Sequence, residues 1–361
     1  MKRKAIQRPS AEDIYHDELE RLSQWDPGPV PPGWQLSPLA VEKFILGDEA
    51  LDVEQKFVAP REQVSRIIIN IATNRGAMLI GEPGTAKSWL SELLACAISK
   101  QSTLTIQGGA ITHSNQLLYS WNESLLQQSG PSPEALIPGP VYRGMANGLL
   151  VRFEEIARCP QSIQDALLSI MSERQIQIPE LSGDDSVLFA KEGFNIIATS
   201  NSLDKGVHEM SAALKRRMNF ETIQPIKNIQ DEMDVVYREA YKLIQQSGVD
   251  VEPDADVIEA LVTIFHELRN GQTLDGRSTD RLAGAVMSTA EAVSVVHAMG
   301  VHAYYYRNST MQLDDLVHFL IGAAIKDNRE DQRRLKHYFD TEVVNRSSKA
   351  WQSVYGQSHL L

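Results

Sequence analysis

The stretch Gly81-Glu-Pro-Gly-Thr-Ala-Lys87-Ser88 brings together the residue types that chemistry on a polyanion requires. It follows a short apolar run, Ala77 to Ile80, and precedes a segment in which Trp89, Leu90, Leu93, Leu94, Ala97 and Ile98 recur on one helical face. A glycine-rich turn between a buried strand and a helix wraps backbone N–H groups around phosphate oxygens and adds the positive end of the helix dipole. In such a loop Lys87 reaches the β- and γ-phosphates and the Ser88 hydroxyl ligates Mg²⁺. Gly81, Glu82, Pro83, Gly84, Thr85 and Ala86 form the cradle, and Ala86 stands where the pattern has glycine. A helical φ at that position would accommodate the extra methyl group. The plainer reading, a turn that happens to contain a lysine, is disfavoured by the strand–loop–helix setting.

A second signal is Gly148-Leu-Leu-Val-Arg-Phe-Glu154-Glu155, a strand-like run ending in two carboxylates, with Arg152 interrupting the apolar pattern. At the end of a parallel strand the first carboxylate, Glu154, holds Mg²⁺ and the second, Glu155, polarises the attacking water. The run Phe194 to Thr199 is a further strand that delivers Asn201, an amide able to sense a γ-phosphate. Arg216 and Arg217 follow about 15 residues later; a guanidinium stabilises charge on a transferring phosphoryl group, and one of the two is expected to be only a solvated helix end. Arg277-Ser-Thr-Asp280-Arg281 is expected to open a helix with Ser278 or Asp280 as N-cap, which would let Arg281 reach the nucleotide.

The elements that must position these groups alternate. Apolar runs at 77–80, 103–106, 148–153 and 194–199 are separated by helical patterns at 61–71, 88–98 and 163–171, which predicts an α/β domain with a parallel sheet between helices. Beyond about Ile226 the strand-like runs cease, and helices are expected at 231–246, 254–270, 280–297 and 313–325, a smaller all-helical lid. The expected division is an N-terminal extension with a Pro-rich connector (1–54), the nucleotide-binding domain (55–228), the lid (229–330) and a tail (331–361). A net charge of −12 disfavours a general grip on nucleic acid or anionic lipid. Most of that acidity has one address, since 231–280 holds twelve acidic against four basic side chains. Cys96 and Cys159 are too few for a disulfide framework or a zinc site, and no stretch approaches the 18 or so apolar residues of a membrane span, so cytoplasm is the expected location. Tyr304 to Tyr306 reads as packing or a local surface patch.

The order GEPGTAKS, PGPVYRG, LLVRFEEIARCPQSIQDALLSIMSERQI, FNIIATSN, ALKRRM and STDR resembles an AAA+ P-loop ATPase of the MoxR family, the clade with a helix-2 insert. The likeness is firm from about Val58 to Ile226 and looser up to about Ile325. It implies ATP and Mg²⁺ as cofactors, Walker A roles for Gly81, Gly84, Lys87 and Ser88, Walker B roles for Glu154 and Glu155, sensor 1 at Asn201 and sensor 2 at Arg281. It also implies an arginine finger at Arg216 or Arg217 completing a neighbouring subunit's site, and an adenine pocket beginning at Val58 and Ala59. Residues 108–142 would hold the insert and 176–194 a hairpin with Gly183-Asp-Asp at its tip. The implied function is an ATP-hydrolysing homo-oligomer, a hexameric ring that remodels a protein client together with a von Willebrand factor A domain partner. A nucleic-acid-stimulated motor and an ATP-binding scaffold with little hydrolysis are the alternatives. The scaffold is motivated by Ala86 and by Glu154 in place of aspartate, since shifting a catalytic group by about an ångström can lower a rate on the order of a hundredfold.

Overall fold

The computed structural model describes residues 7–201, 210–282, 286–326 and 328–361. The chain divides into two compact units, Met1–Gly81 with Lys87–Ile223, and Glu82–Ala86 with Gln224–Leu361.

The first unit holds the strands β1 (Gly76–Gly81), β2 (Thr105–Gln107), β3 (Tyr119–Trp121), β4 (Leu136–Pro138), β5 (Leu150–Glu154), β6 (Gln175–Gln177), β7 (Val187–Phe189), β8 (Asn195–Asn201) and β9 (Met218–Ile223). Five of them form one parallel sheet in the order β2-β5-β8-β1-β9. From β1 the chain crosses to the far edge strand β2, returns through β5 to β8 beside β1, and then crosses to β9, a reversal that leaves the ligand crevice of an open α/β sheet at its carboxyl end. Register sets what faces that crevice: Gly81 pairs with Asn201 and Gln107 with Glu154, so the loop start and both polar strand ends share one edge. The helices of this unit are α1 (Ala11–Ile14), α2 (His16–Trp25), α3 (Pro38–Leu46), α4 (Arg61–Ile71), α5 (Lys87–Ser99), α6 (Glu123–Ser129), α7 (Pro140–Asn147), α8 (Gln161–Glu173) and α9 (Ala212–Lys215). The remaining strands make two antiparallel pairs, β3 with β4 around α6 and β6 with β7 around a turn at Gly183–Ser186.

Two features of the first unit depart from the sequence expectation. Residues 7–54, within the stretch expected as an extension, are packed: Leu19, Leu22, Trp34, Leu36, Ala40, Val41, Phe44 and Ile45 are buried in one cluster with Leu90, Leu93, Leu94 and Ala97 of α5. The proline- and glycine-rich connector is seated by Gly33 (φ +77°), where a Cβ would meet the Glu192 carbonyl oxygen at 2.2 Å. Strand β9 was also unforeseen. It is an edge strand with only its two ends, Met218 and Ile223, buried, so it carries no apolar run to read.

The second unit is helical: α10 (Ile229–Gln246), α11 (Ala255–Asn270), α12 (Thr289–Tyr306), α13 (Leu316–Ala324), α14 (Arg329–Thr341) and α15 (Lys349–Gly356). Its core joins Val236, Ile244, Leu261, Phe265, Val296, Met299 and Leu320 with Leu335, Tyr338, Phe339 and Val354, so the expected tail is part of the packed unit. Gly300 lets α12 cross α10 closely, since a Cβ there would lie 2.4 Å from Ile244 Cδ1. The helix expected to start near Asp280 starts at Thr289 instead. Ser288 accepts from the Glu291 N–H while the Glu291 carboxylate accepts from Ser288 N–H at 2.9 Å, a reciprocal cap that neither Ser278 nor Asp280 makes. Ser278 is instead bridged to Gln272, and Asp280 meets His337 Nδ1 at 3.0 Å.

One buried ion pair pins three of these helices. The Glu232 carboxylate of α10 accepts from Arg269 Nη1 and Nη2 of α11 at 2.9 and 2.6 Å and from Thr289 Oγ1 of α12 at 2.7 Å. Burial alone would raise this carboxyl; hydrogen bonds from His266 and Arg269, the Arg269 charge and Thr289 outweigh it and bring it down to about 2. A carboxyl held below its ordinary value, about 4.3, stabilises the fold above that value and loses the contribution as pH falls toward about 2. Glu232→Gln, which strands a buried guanidinium, is expected to lose about 3–5 kcal/mol at neutral pH. Thermal unfolding across an acid pH series checks this: the variant's stability should fall less steeply than the wild type's below about pH 4.3.

Candidate active site

Glu154 is the last residue of β5 and is 2% exposed, which is costly for a carboxylate unless every lone pair is used. Here they are. Oε2 accepts from Ser88 Oγ at 2.6 Å and Thr199 Oγ1 at 2.7 Å, while Oε1 lies 2.6 Å from Ser91 Oγ and 3.0 Å from Arg152 Nη2. The partners come from the start of α5, from β8 and from β5 itself, so the carboxylate knots the three elements around the crevice. Burial pushes its carboxyl up, but the hydrogen bonds from Ser88, Ser91 and Thr199 and the charge of Arg152 outweigh it, and the net direction is down. Glu154 is therefore an anion at neutral pH.

Glu155 is held differently. Its backbone turns into the left-handed region (φ 53°) and donates its N–H to Thr199 Oγ1 at 3.1 Å, which swings the side chain out of the sheet to 40% exposure, 3.0 Å from Arg158 Nε. The two adjacent carboxylates thus occupy opposite environments, one buried against Ser88 and one open to solvent. The turn is possible because Gly108 lies beneath it; a Cβ there would approach the Glu155 carbonyl oxygen to 2.2 Å.

Around them stand the expected loop residues. Lys87 is buried and donates from Nζ to the Gly81 carbonyl at 3.1 Å, and Thr85 Oγ1 donates to the Glu82 carbonyl at 2.9 Å. Pro83 lies between them in the turn, and Gly84 has φ +75°. Ala86 has φ +60°, left-handed rather than helical, so its methyl group is carried where glycine is favoured. Asn201 ends β8 opposite Gly81. Within the second unit, Arg281 Nη2 stands 3.7 Å from the Glu82 carboxylate. Val58 and Ala59 are half-buried ahead of α4, Ala59 against the cluster that contains Trp89.

The two arginine candidates separate. Arg217 donates from Nη1 to the Ala213 carbonyl at 3.0 Å and from Nε to Ser172 Oγ, so its guanidinium is committed within the chain. Arg216, at the end of α9, is exposed, and among the described residues its guanidinium has no partner.

Several site residues are absent from the sequence reading. Thr199 and Ser91 bind Glu154, and Arg152, read as an interruption, is 7% exposed and fully engaged beneath it. Position was the available signal for two of them: Arg152 precedes Glu154 by two on one strand face, and Ser91 follows Ser88 by three on one helix face. Among the described residues no group of three or more His, Cys, Asp or Glu could cage a metal ion. No helix among them is long and apolar enough to cross a membrane.

Comparison with known proteins agrees with this architecture. Residues 76–218 match the AAA domain of the dynein-related subfamily, and residues 230–361 match the YehL-like AAA+ ATPase C-terminal domain. The chain is 51% identical over 358 residues to the protein YehL of Escherichia coli K12, spanning 99% of this chain and 98% of that one. It is 25% identical over 210 residues to the chaperone MoxR1 of Mycobacterium tuberculosis, 58% of this chain and 52% of that protein. An ATP complex of NtrX from Brucella abortus superposes with a TM-score of 0.51 at 12% identity, covering 85% of this chain and 65% of that one, a likeness of fold.

The left-handed Ala86 has a measurable consequence. Ala86→Gly should stabilise the protein by about 1 kcal/mol, because glycine visits that conformation without the Cβ penalty. Thermal unfolding of the variant beside the wild type reads it directly.

Proposed function

The chain belongs to the YehL-like family of MoxR-type AAA+ ATPases, and from that premise we propose that it binds ATP with Mg²⁺ at the loop 81–88 and hydrolyses it. The observation that carries the reading is the Ser88–Glu154 pair at 2.6 Å beside the outward-facing Glu155, all at the carboxyl edge of the sheet where Gly81 and Asn201 meet. A hydroxyl and an anionic carboxylate are hard oxygen donors, and Mg²⁺ in a nucleotide site takes only one or two such protein groups beside phosphate and water. Ser88 and Glu154 would hold it. The charge it would supply there offsets that of the phosphate oxygens.

The chain's own residues supply the rest. Lys87 exchanges the Gly81 carbonyl for phosphate oxygens, and the loop N–H groups surround them. Glu155, 40% exposed beside Arg158, orients the attacking water and takes its proton. Asn201 hydrogen-bonds the γ-phosphate, Arg281, 3.7 Å from the Glu82 carboxylate of the loop, contacts the nucleotide there, and Val58 and Ala59 border the adenine. Arg216 rather than Arg217 acts as the finger in a neighbouring subunit, because an arginine that works in trans must be uncommitted in its own chain. This requires a homo-oligomeric ring, which we take to be hexameric. The insert β3–α6–β4 and the hairpin β6–β7, with Phe189 66% exposed at its open end opposite Gln175, would act on a protein client, with a von Willebrand factor A domain protein as partner.

Three variants test the scheme. Lys87→Ala should lose binding of a fluorescent ATP analogue, and Glu155→Gln should keep binding while steady-state ATPase falls on the order of a hundredfold or more. Arg216→Ala should be equally slow alone yet regain turnover when mixed with Glu155→Gln, since mixed assemblies place an intact arginine beside an intact glutamate. Wild type and Glu155→Gln equally inactive under assembling conditions would leave the scaffold reading, and unchanged nucleotide binding in Lys87→Ala would remove the site altogether.

A further inference from the structure

A guanidinium buried in the central sheet of an ATPase core is an expensive placement unless each N–H finds an acceptor. Arg152 finds four, and their identity is informative. Nε donates to Ser91 Oγ at 3.0 Å, Nη1 to the Ser102 carbonyl at 2.8 Å, and Nη2 to both the Ser88 carbonyl and Glu154 Oε1 at 3.0 Å. Two of these acceptors belong to the two residues that would hold Mg²⁺. One planar fork therefore sets the height of the α5 start and the direction of the Glu154 side chain together, which a lysine's point charge could not do.

The bracket continues outward through charges of alternating sign. Arg152 Nη1 lies 3.5 Å from Glu92 Oε2, and the same carboxylate oxygen accepts from Arg8 Nη2 at 2.8 Å. A second arm reaches Arg152 through Ser102, whose carbonyl it bonds. The Ser102 N–H donates to the Glu12 carboxylate at 3.1–3.2 Å, and Ser102 Oγ accepts from the Ala11 N–H at 3.3 Å. The first turn of α1 thus backs the residue that backs the carboxylate.

We propose that Arg152 and Ser91 are positioning residues that hold Glu154 toward the metal, and that the segment Arg8–Glu12 is the outer support of that bracket. The proposal rests on the reading of Ser88 and Glu154 as the metal-facing pair. It also accounts for the glutamate at a position where the family pattern has aspartate. The additional methylene carries the carboxylate out to Ser91 and the Arg152 fork, and it is these two groups that return it to a fixed place beside Ser88.

A filler of the core and a positioning residue differ in what they move. Full-length wild type, Arg152→Lys and Ser91→Ala are compared in the Mg²⁺ concentration that gives half-maximal ATPase, in turnover at saturating Mg²⁺, and in affinity for a fluorescent ATP analogue in EDTA. Removing such supporting contacts from a metal ligand lowers metal affinity or activity on the order of ten- to a hundredfold. The expected result is a rise of at least about tenfold in the Mg²⁺ requirement of Arg152→Lys, a smaller rise in Ser91→Ala, and metal-free nucleotide affinity equal to wild type. Ser91→Ala removes one hydroxyl and decides the matter if Arg152→Lys fails to fold. In a Glu154→Asp background, whose shorter side chain withdraws from Ser91, the Ser91→Ala effect should vanish. Arg8→Ala with Glu12→Gln should shift the requirement in the same direction by about fivefold or less, because that arm is largely exposed. No shift there overturns the outer support. Wild-type Mg²⁺ dependence in both inner variants overturns the positioning role even though Lys87→Ala still abolishes binding; nucleotide binding indifferent to Lys87→Ala would instead bring down the site reading itself.

Discussion

A carboxylate out of water at the end of a central strand is the constraint around which the α/β unit is arranged. Glu154 has given up hydration at 2% exposure, and an ion left unpaired there would cost several kcal/mol. Four donors from α5, β5 and β8 replace the water. Because those elements must stand at hydrogen-bonding distance from one side chain, their register is not free. Sliding β8 by one residue would exchange Thr199 for a neighbour on the opposite face and leave Oε2 short of a donor. The same arrangement that makes burial tolerable leaves Glu154 charged and preorganised, so a metal-facing group needs no rearrangement to become an anion.

Backbone strain gathers at the same edge. Gly84 at φ +75°, Ala86 at +60° and Glu155 at +53° all lie in the left-handed region, and two of the three are not glycine. Strain of this kind, of order 1–3 kcal/mol per residue, persists only where surroundings over-determine it. For Glu155 those surroundings are visible: Thr199 Oγ1 holds its N–H, and Gly108 makes room for its carbonyl oxygen. Thr199 therefore serves both carboxylates, donating to the buried one and accepting from the backbone of the exposed one. Their different environments are produced by one hydroxyl rather than by two separate devices.

Much of this was legible in the sequence because its signals are local. A strand, a glycine-rich turn and an amphipathic helix are consecutive at 76–99, and paired carboxylates at a strand end announce themselves. What escaped was non-local or lacked a pattern. Strand β9 carries no apolar run because only its two ends are buried, and α3 owes its burial to α5, about fifty residues away. The start of α12 was misplaced because 277–281 offers cap residues, whereas the chain uses Ser288, whose partner Glu291 completes a two-way bond. Arg152 was the most instructive miss. Against an apolar run it looks like a fault, since hydrophobic pattern counts a buried charge as an error without seeing the acceptors on α5, at Ser102 and at Glu154 of the same strand.

Three features of this site read as losses when each is taken alone. Aspartate to Glu154 displaces a carboxylate, an arginine in a buried strand introduces a charge, and serine at 91 breaks an apolar helix face. Taken together they cancel in sign and in geometry: the added methylene is spanned by the Arg152 fork, the guanidinium charge is met by Glu154 and Glu92, and the serine hydroxyl fills the space between them. Consistency across neighbouring choices is what distinguishes a designed network from accumulated damage. A substitution judged against a consensus one position at a time would call this site impaired. Judged as a set, it is a differently built support for the same carboxylate, and its outermost members lie in the N-terminal turn that a domain boundary drawn at residue 54 would have cut away.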